Sequence, residues 1–239
     1  PPRSTLFPYT TLFRSGRIQA FQEKPRVEEA RSTLANTGIY VFDPQIIERI
    51  PARVPYDIGA QLFPSLTAEG GALYGLAQPF QWLDIGKVPD YYRVMQLALR
   101  GGVPALSRPG REMAPGIWAG LNVRIDLART RLVPPLVIGG SATIEPGCTL
   151  VGPSFIGPGC VIESKAHVEQ SVVFDYTRIG GSANVVRKLI CGDYCVGADG
   201  TVTNLASADI GWVITDARRP RQSVSEEQQS LLDFLRSLG

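Results

Sequence analysis

The chain has 239 residues, 44% of them hydrophobic, which is enough to bury more than one core. Its formal net charge of +2 lacks the basic excess of a nucleic-acid binder. No apolar run approaches ~20 residues, so no segment is expected to span a membrane.

Residues 1–15, PPRSTLFPYTTLFRS, are set aside from the fold. Back-translated, they match a common sequencing adapter codon for codon, so Pro1 to Ser15 are read as an adapter-like artefact. The alternative is a Pro/Thr/Phe-rich N-terminal segment. Removing Arg3 and Arg14 takes Lys+Arg from 24 to 22 against 22 Asp+Glu, a net charge of zero. Coding sequence upstream of Gly16 is then expected to be missing.

From Gly16 to Arg100 the pattern is the end of an α/β domain. Gly16 to Phe21 alternates as a strand, and Leu34 to Phe42 is a second strand-like run. Asp43-Pro44 opens a short helix that Pro51 ends. Asp57 caps another, toward Ala68, interrupted by Pro64. Leu73 to Leu76 and Pro79 to Leu83 are short strands. A helix from Val88 to Arg100 starts at Pro89 and stops at Gly101-Gly102.

Three clusters in this segment can carry chemistry: Phe21-Gln22-Glu23-Lys24-Pro25, Asn36-Thr37-Gly38-Ile39-Tyr40 and Trp82-Leu83-Asp84-Ile85-Gly86. Each also has an ordinary explanation. Glu-Lys is usually a surface ion pair, Asn-Thr-Gly a turn, and Asp before Gly a cap or loop.

Gly101 to Gly116 is a linker by composition, with Pro104, Pro109 and Pro115. From Val137 to Val202 aliphatic residues then return every six positions. Ile138, Ile144, Leu150, Ile156, Ile162, Val168 and Phe174 keep step; after a slip come Ile179 and Val185, and after another Ile190, Val196 and Val202. Ile117 and Val123 suggest an earlier first rung. Small residues stand two positions before several of these, among them Ala142, Cys148, Ser154, Cys160, Ala166, Ala183 and Gly200. A period of six fits neither a helical face nor simple strand alternation. It suits a coil of short strands with one inward aliphatic residue per side and a small residue at each tight corner. It resembles the hexapeptide repeat of left-handed parallel β-helices, and the handedness comes from that resemblance alone.

The four cysteines, 148, 160, 191 and 195, do not form a disulfide or zinc pattern. Cys148 and Cys160 are packing residues on different edges of the coil, which fits a reducing cytoplasm. His167, the one histidine, precedes the inward Val168 and should point outward. It is the candidate general base if the coil is an acyltransferase, although an outward polar residue is expected there anyway. Arg218-Arg219-Pro220-Arg221 is a solvated linker. Ser225 to Gln228 makes a capping box for a tail helix with Leu231, Leu235 and Leu238 on one face.

Together, the three clusters and the repeat resemble sugar-phosphate nucleotidyltransferases, the nucleoside-diphosphate-sugar pyrophosphorylases. The mannose-1-phosphate guanylyltransferase-like branch reads roughly F-x-E-K-P, N-x-G-I-Y and W-x-D-I-G before a hexapeptide β-helix. The resemblance implies a partial, Rossmann-like α/β nucleotidyltransferase domain lacking its N-terminal half (16–100), a linker (101–116), a left-handed parallel β-helix (117–211) and a tail with an amphipathic helix (212–239). It implies attack of a sugar-1-phosphate oxygen on the α-phosphorus of a nucleoside triphosphate, with pyrophosphate leaving. By this resemblance Lys24 contacts the sugar phosphate, Glu23 and Asn36 bind sugar hydroxyls, and Asp84 helps hold Mg²⁺. Catalysis would rest on Lys24 and Asp84, with mannose-1-phosphate and GTP as the expected substrates and self-association through the β-helix. The glycine-rich G-x-G-T-R-type loop that cradles triphosphate in that family has no counterpart here, so these 239 residues alone are expected to be inactive. Two rivals stand beside this reading: a non-catalytic regulatory or scaffold subunit, and a bifunctional protein with acyl transfer at His167.

Overall fold

The computed structural model describes residues 9–12, 16–22, 26–29, 31–181, 183–208, 210–211, 213–220, 225, 227–228 and 230. The chain divides into two compact units, Pro1–Trp82 and Leu83–Gly239.

In the first unit, β1 (Tyr9–Leu12) pairs antiparallel with β2 (Ile18–Gln22), in register from Tyr9↔Gln22 to Thr11↔Ala20, with a shift before Leu12↔Ile18. The segment set aside as adapter-like therefore contributes a strand, consistent with the β-preference of Tyr-Thr-Thr-Leu. Asp43 caps as expected, its carboxylate accepting from Gln45 N at 3.0 Å, but the turns that follow (Pro44–Arg49) are 3₁₀ rather than α. Asp57 accepts from Ala60 N at 2.8 Å and opens a wide π turn, Ile58–Leu62, that runs directly into α1 (Phe63–Ala68). Pro64 does not interrupt this helix. It sits in the first turn of α1, where its missing N–H is not needed.

Three expected strands do not form. Leu34 to Phe42 is irregular apart from a single bridge residue at Ala35, Pro79 to Leu83 is irregular, and Leu73 to Leu76 is reduced to a bridge between Arg17 and Tyr74. Alternating apolar sequence makes a strand only where a neighbouring edge accepts its backbone hydrogen bonds. The core here is small: Leu62, Phe63 and Leu66 are buried, with Phe21, Phe42 and Ile46 packed on them.

The second unit begins with α2 (Val88–Leu99), which has Pro89 in its first turn. Gly101, at φ +82°, ends it, and Gly102 N donates back to Leu97 O at 2.9 Å. The linker segment holds β3 (Arg111–Ala114), antiparallel to the first strand of the coil, and Arg108 lies over the ring of Trp118 at 5.7 Å. The coil is a three-sided prism. Its rungs are β4 (Ile117–Ala119), β5 (Arg124–Ile125) and β6 (Arg131–Val133); then β7 (Leu136–Ile138), β8 (Thr143–Ile144) and β9 (Thr149–Val151). Next come β10 (Ser154–Ile156), β11 (Val161–Ile162) and β12 (His167–Glu169), then β13 (Val172–Val173), β14 (Thr177–Ile179) and β15 (Asn184–Val186). Strands of successive rungs pair in parallel, for example Ile144↔Ile162↔Ile179 and Leu150↔Val168↔Val185. The six-residue beat is thus a stack of inward aliphatic columns, and the small residues Ala142, Cys148, Cys160 and Ala166 are buried at the corners.

The beat departs from the sequence expectation in two places. Val173, not Phe174, takes the inward position above Ile156. The corner between Val168 and Val173 is one residue shorter than that between Leu150 and Ile156, so Phe174 turns outward and stacks on Tyr91 of α2 at 6.2 Å. After the fourth rung, β16 (Lys188–Cys191) folds back through β17 (Tyr194–Gly197) and β18 (Val202–Asn204) as antiparallel strands. Val196 consequently packs outside with α2, and Val202 is 60% exposed. Gly192-Asp193 supplies the reversal that a six-residue count does not register. β19 (Ile214–Asp216) closes one face against β14, antiparallel.

The capping box is present: Gln228 N donates to Ser225 Oγ at 3.2 Å and Ser225 N donates to Gln228 Oε1 at 2.9 Å. Leu231, Leu235 and Leu238 lie outside the described residues, as does Arg221. Among the described residues no helix is long and apolar enough to cross a membrane.

Candidate active site

The first unit holds a cavity of about 840 Å³, and β2 supplies one wall through Ile18 and Phe21. Phe21 is fixed by its contact with Phe63, 4.7 Å between ring centroids, and Tyr40 meets Phe63 edge-on at 5.0 Å. Aromatic burial therefore anchors both the strand ending in Gln22 and the segment that follows Asn36. Gln22 ties down the next loop, donating to Glu29 O at 3.1 Å and accepting from Arg31 N at 2.9 Å. Glu23, Lys24 and Pro25 sit between these anchors in sequence but lie outside the described residues.

Asn36 lines the cavity and is half-buried. Its Oδ1 accepts from Gly38 N at 3.1 Å, an Asx turn that explains the Asn-Thr-Gly sequence, and its Nδ2 donates to the Tyr40 hydroxyl. The ordinary and functional readings of this cluster thus coexist: the turn is real, and it faces an open cavity. Trp82 also lines the cavity. The apolar residues around it are unusually wet, with Ile39 at 73% and Val41 at 98% exposure. Sequence reasoning did not find this feature, because alternation alone predicts that a strand buries one side.

Asp84 belongs to the second unit, four residues before α2, so the candidate residues are spread over both units. It is half-buried, and among the described residues no donor holds its carboxylate. Lone pairs left open on one carboxylate suit a hard cation such as Mg²⁺, which takes one or two protein carboxylates and completes its shell with water and phosphate oxygen. Among the described residues there is no cluster of three or more His, Cys, Asp or Glu that could hold a metal by itself.

His167 points away from the prism core, as expected from Val168 beside it. Its Nε2 lies 3.1 Å from Glu169 Oε2, on the same face of the same strand. Cys148 and Cys160 are packing residues: each thiol donates to a main-chain carbonyl, Glu163 O and Phe174 O, at 3.0 Å. Burial pushes both thiols up to about 11, far from a nucleophile's range.

Residues 4–101 match the nucleotidyl transferase family model. The chain is similar to a UTP–glucose-1-phosphate uridylyltransferase of Synechocystis, 43% identical over 90% of this chain and 56% of that protein. It is also similar to mannose-1-phosphate guanylyltransferase 1 of Arabidopsis thaliana, 30% identical over 80% of this chain and 47% of that protein. A mannose-1-phosphate guanylyltransferase of Mycobacterium tuberculosis is 31% identical over 72% and 42%. The chain spans about half the length of the curated relatives it matches.

Proposed function

Because the chain belongs to the sugar-phosphate nucleotidyltransferase family, we propose that it comes from an enzyme joining a sugar-1-phosphate to a nucleoside triphosphate with release of pyrophosphate. The observation that carries this reading is the family match over residues 4–101, the stretch containing Glu23, Lys24, Asn36 and Asp84. The sugar-1-phosphate oxygen attacks the α-phosphorus, and the obstacle is crowded negative charge rather than a weak nucleophile. Lys24 brings a compact ammonium to the sugar phosphate. Glu23 accepts hydrogen bonds from sugar hydroxyls. Asn36, already oriented by Gly38 N and Tyr40, offers what remains of its amide to the same sugar. Asp84 contributes a carboxylate oxygen to Mg²⁺, and the ion when bound supplies charge neutralisation at the phosphates.

Two substrate pairs compete. Mannose-1-phosphate with GTP follows from the motif pattern. Glucose-1-phosphate with UTP is favoured by the 43% identity to the uridylyltransferase. A cytoplasmic setting, supported by four free cysteines, and self-association through the prism belong to the same proposal.

Pyrophosphate release by the complete protein, with each pair in turn, tests the reaction and ranks the sugars and bases. Lys24→Ala should lower kcat/KM at least ~100-fold, as loss of a charge contact to the reacting phosphate does. Asp84→Asn should raise the Mg²⁺ concentration needed for half-maximal rate. Release that survives both substitutions would remove these residues from the site; no release with any pair would favour a regulatory subunit. The same assay on the 239 residues alone decides whether they turn over unaided.

A further inference from the structure

The segment that carries Asn36 has little backbone pairing to hold it. Among the described residues, 34–42 make no ladder beyond the single bridge residue at Ala35. The placing of the Asn36 amide therefore falls to its own side-chain bonds, and two are present. Gly38 N can only donate, so the atom it meets at 3.1 Å is the amide oxygen, which settles which end is which. The other end, Nδ2, donates to the hydroxyl oxygen of Tyr40. The amide is thus gripped at both ends.

Tyr40 is itself seated on the small core of the first unit. Its ring stacks on Phe42 at 5.6 Å and meets Phe63 edge-on at 5.0 Å between centroids. Phe63 is 2% exposed, opens α1 and packs with Leu62 and Leu66. Aromatic pairs of this kind add to what burial contributes, so the ring has a fixed seat. Position passes from α1 to the ring, from the ring to its hydroxyl, and from the hydroxyl to Asn36. Gly38 adds the turn. Its φ of +76° is a conformation that glycine adopts without steric cost.

We propose that Tyr40 is a positioning residue for sugar binding, acting through Asn36 rather than on the sugar. The inference rests on the reading above in which Asn36 meets a sugar hydroxyl. With one N–H given to Tyr40 and one lone pair to Gly38, the amide keeps one donor and one acceptor site for a ligand. A braced amide presents that pair in one orientation, which lowers the cost of ordering it when the sugar binds.

Steady-state kinetics on the complete protein test the proposal, with the sugar-1-phosphate and triphosphate pair that it turns over fastest. Tyr40→Phe keeps the ring and its aromatic contacts and removes only the hydroxyl. It should raise KM for the sugar-1-phosphate about 5- to 10-fold, as loss of one hydrogen bond does. The value of kcat and the KM for triphosphate should stay within about twofold, the pattern of a contact made equally in the ground and transition states. Gly38→Ala strains the turn, yet nothing stands within 4 Å of the added Cβ, so it should act in the same way. In an Asn36→Ala background neither substitution should move the sugar KM by more than about twofold further, because the amide they brace is gone. Additive effects would mean that Tyr40 touches the sugar itself, and would overturn the proposal. So would an unchanged KM in Tyr40→Phe, or a joint shift of kcat and both KM values, the mark of a loosened fold. Absence of pyrophosphate release from the unsubstituted protein would instead overturn the reading beneath, and the inference with it.

Discussion

The prism and the first unit use similar apolar residues to opposite effect. In the prism each strand finds its neighbour one rung away, 17 to 19 positions along the chain, as in Trp118↔Val137, Val137↔Phe155 and Phe155↔Val172. Backbone and side-chain demands are met together, so Leu150, Ile156, Ile162 and Val168 are fully buried. In the first unit Ile39, Val41 and Leu76 are comparably apolar, yet among the described residues they have no ladder partner, and they stand in solvent. Repetition supplies partners; composition alone does not.

The largest effect that would break this comparison is in the prism. Ile162→Ala removes the middle of a stacked column and should cost about 2–5 kcal/mol, measured by denaturant unfolding. A cost below about 1 kcal/mol would mean that the column is not the source of stability. The next effect comes from the buried thiols. Cys148 and Cys160 stay protonated to about 11 when folded but ionise near 9.0 when unfolded. Between these values the native state binds more protons, so stability falls as pH rises from 9 to 11, by up to about 2–3 kcal/mol for each thiol. Unfolding at pH 8 and pH 10.5 measures this. Alkylation of the native protein should label the exposed Cys191 first and leave Cys148 and Cys160 unreacted.

A smaller effect sharpens the view of how α2 belongs to the prism. Tyr92→Phe deletes the 2.7 Å bond to Gln170 O while keeping the ring among Val172 and Leu189. The expected cost is about 1 kcal/mol, since Gln96 Nε2 still faces that carbonyl. A value near zero would mean that the ring, not the hydroxyl, holds the helix.

The contrast also explains what could be read from the sequence. Inward columns were legible because Ile138, Ile144, Leu150, Ile156, Ile162 and Val168 each obey the same local geometry. Phe174, Val196 and Val202 were misplaced because a corner that saves one residue, or a hairpin that reverses the chain, leaves the count of aliphatics almost unchanged. Caps were legible at Asp43, Asp57 and Ser225, where one side chain meets one nearby amide. The strands expected at Leu34 to Phe42 and Pro79 to Leu83 do not form, since a strand depends on a partner that its own residues do not specify. In the candidate site, the Asn36 turn follows from three consecutive residues. The placing of Asp84 in a separate unit does not follow from any motif.

The smallest expected effect bears on the first unit. Val41→Thr replaces a methyl by a hydroxyl at a residue that is 98% exposed and keeps the β-branch, so stability should change by no more than about 0.5 kcal/mol. Leu76→Gln, at 82% exposure, should behave the same way. These near-zero values are the informative outcome, because transfer from water cannot be lost by a group already in water. A cost of about 2 kcal/mol at either position would mean that the apolar rim around the Asn36 cavity is covered in solution. The protein would then be shielding it with another surface, and the difference between the two units would lie in where their partners come from rather than in whether they have them.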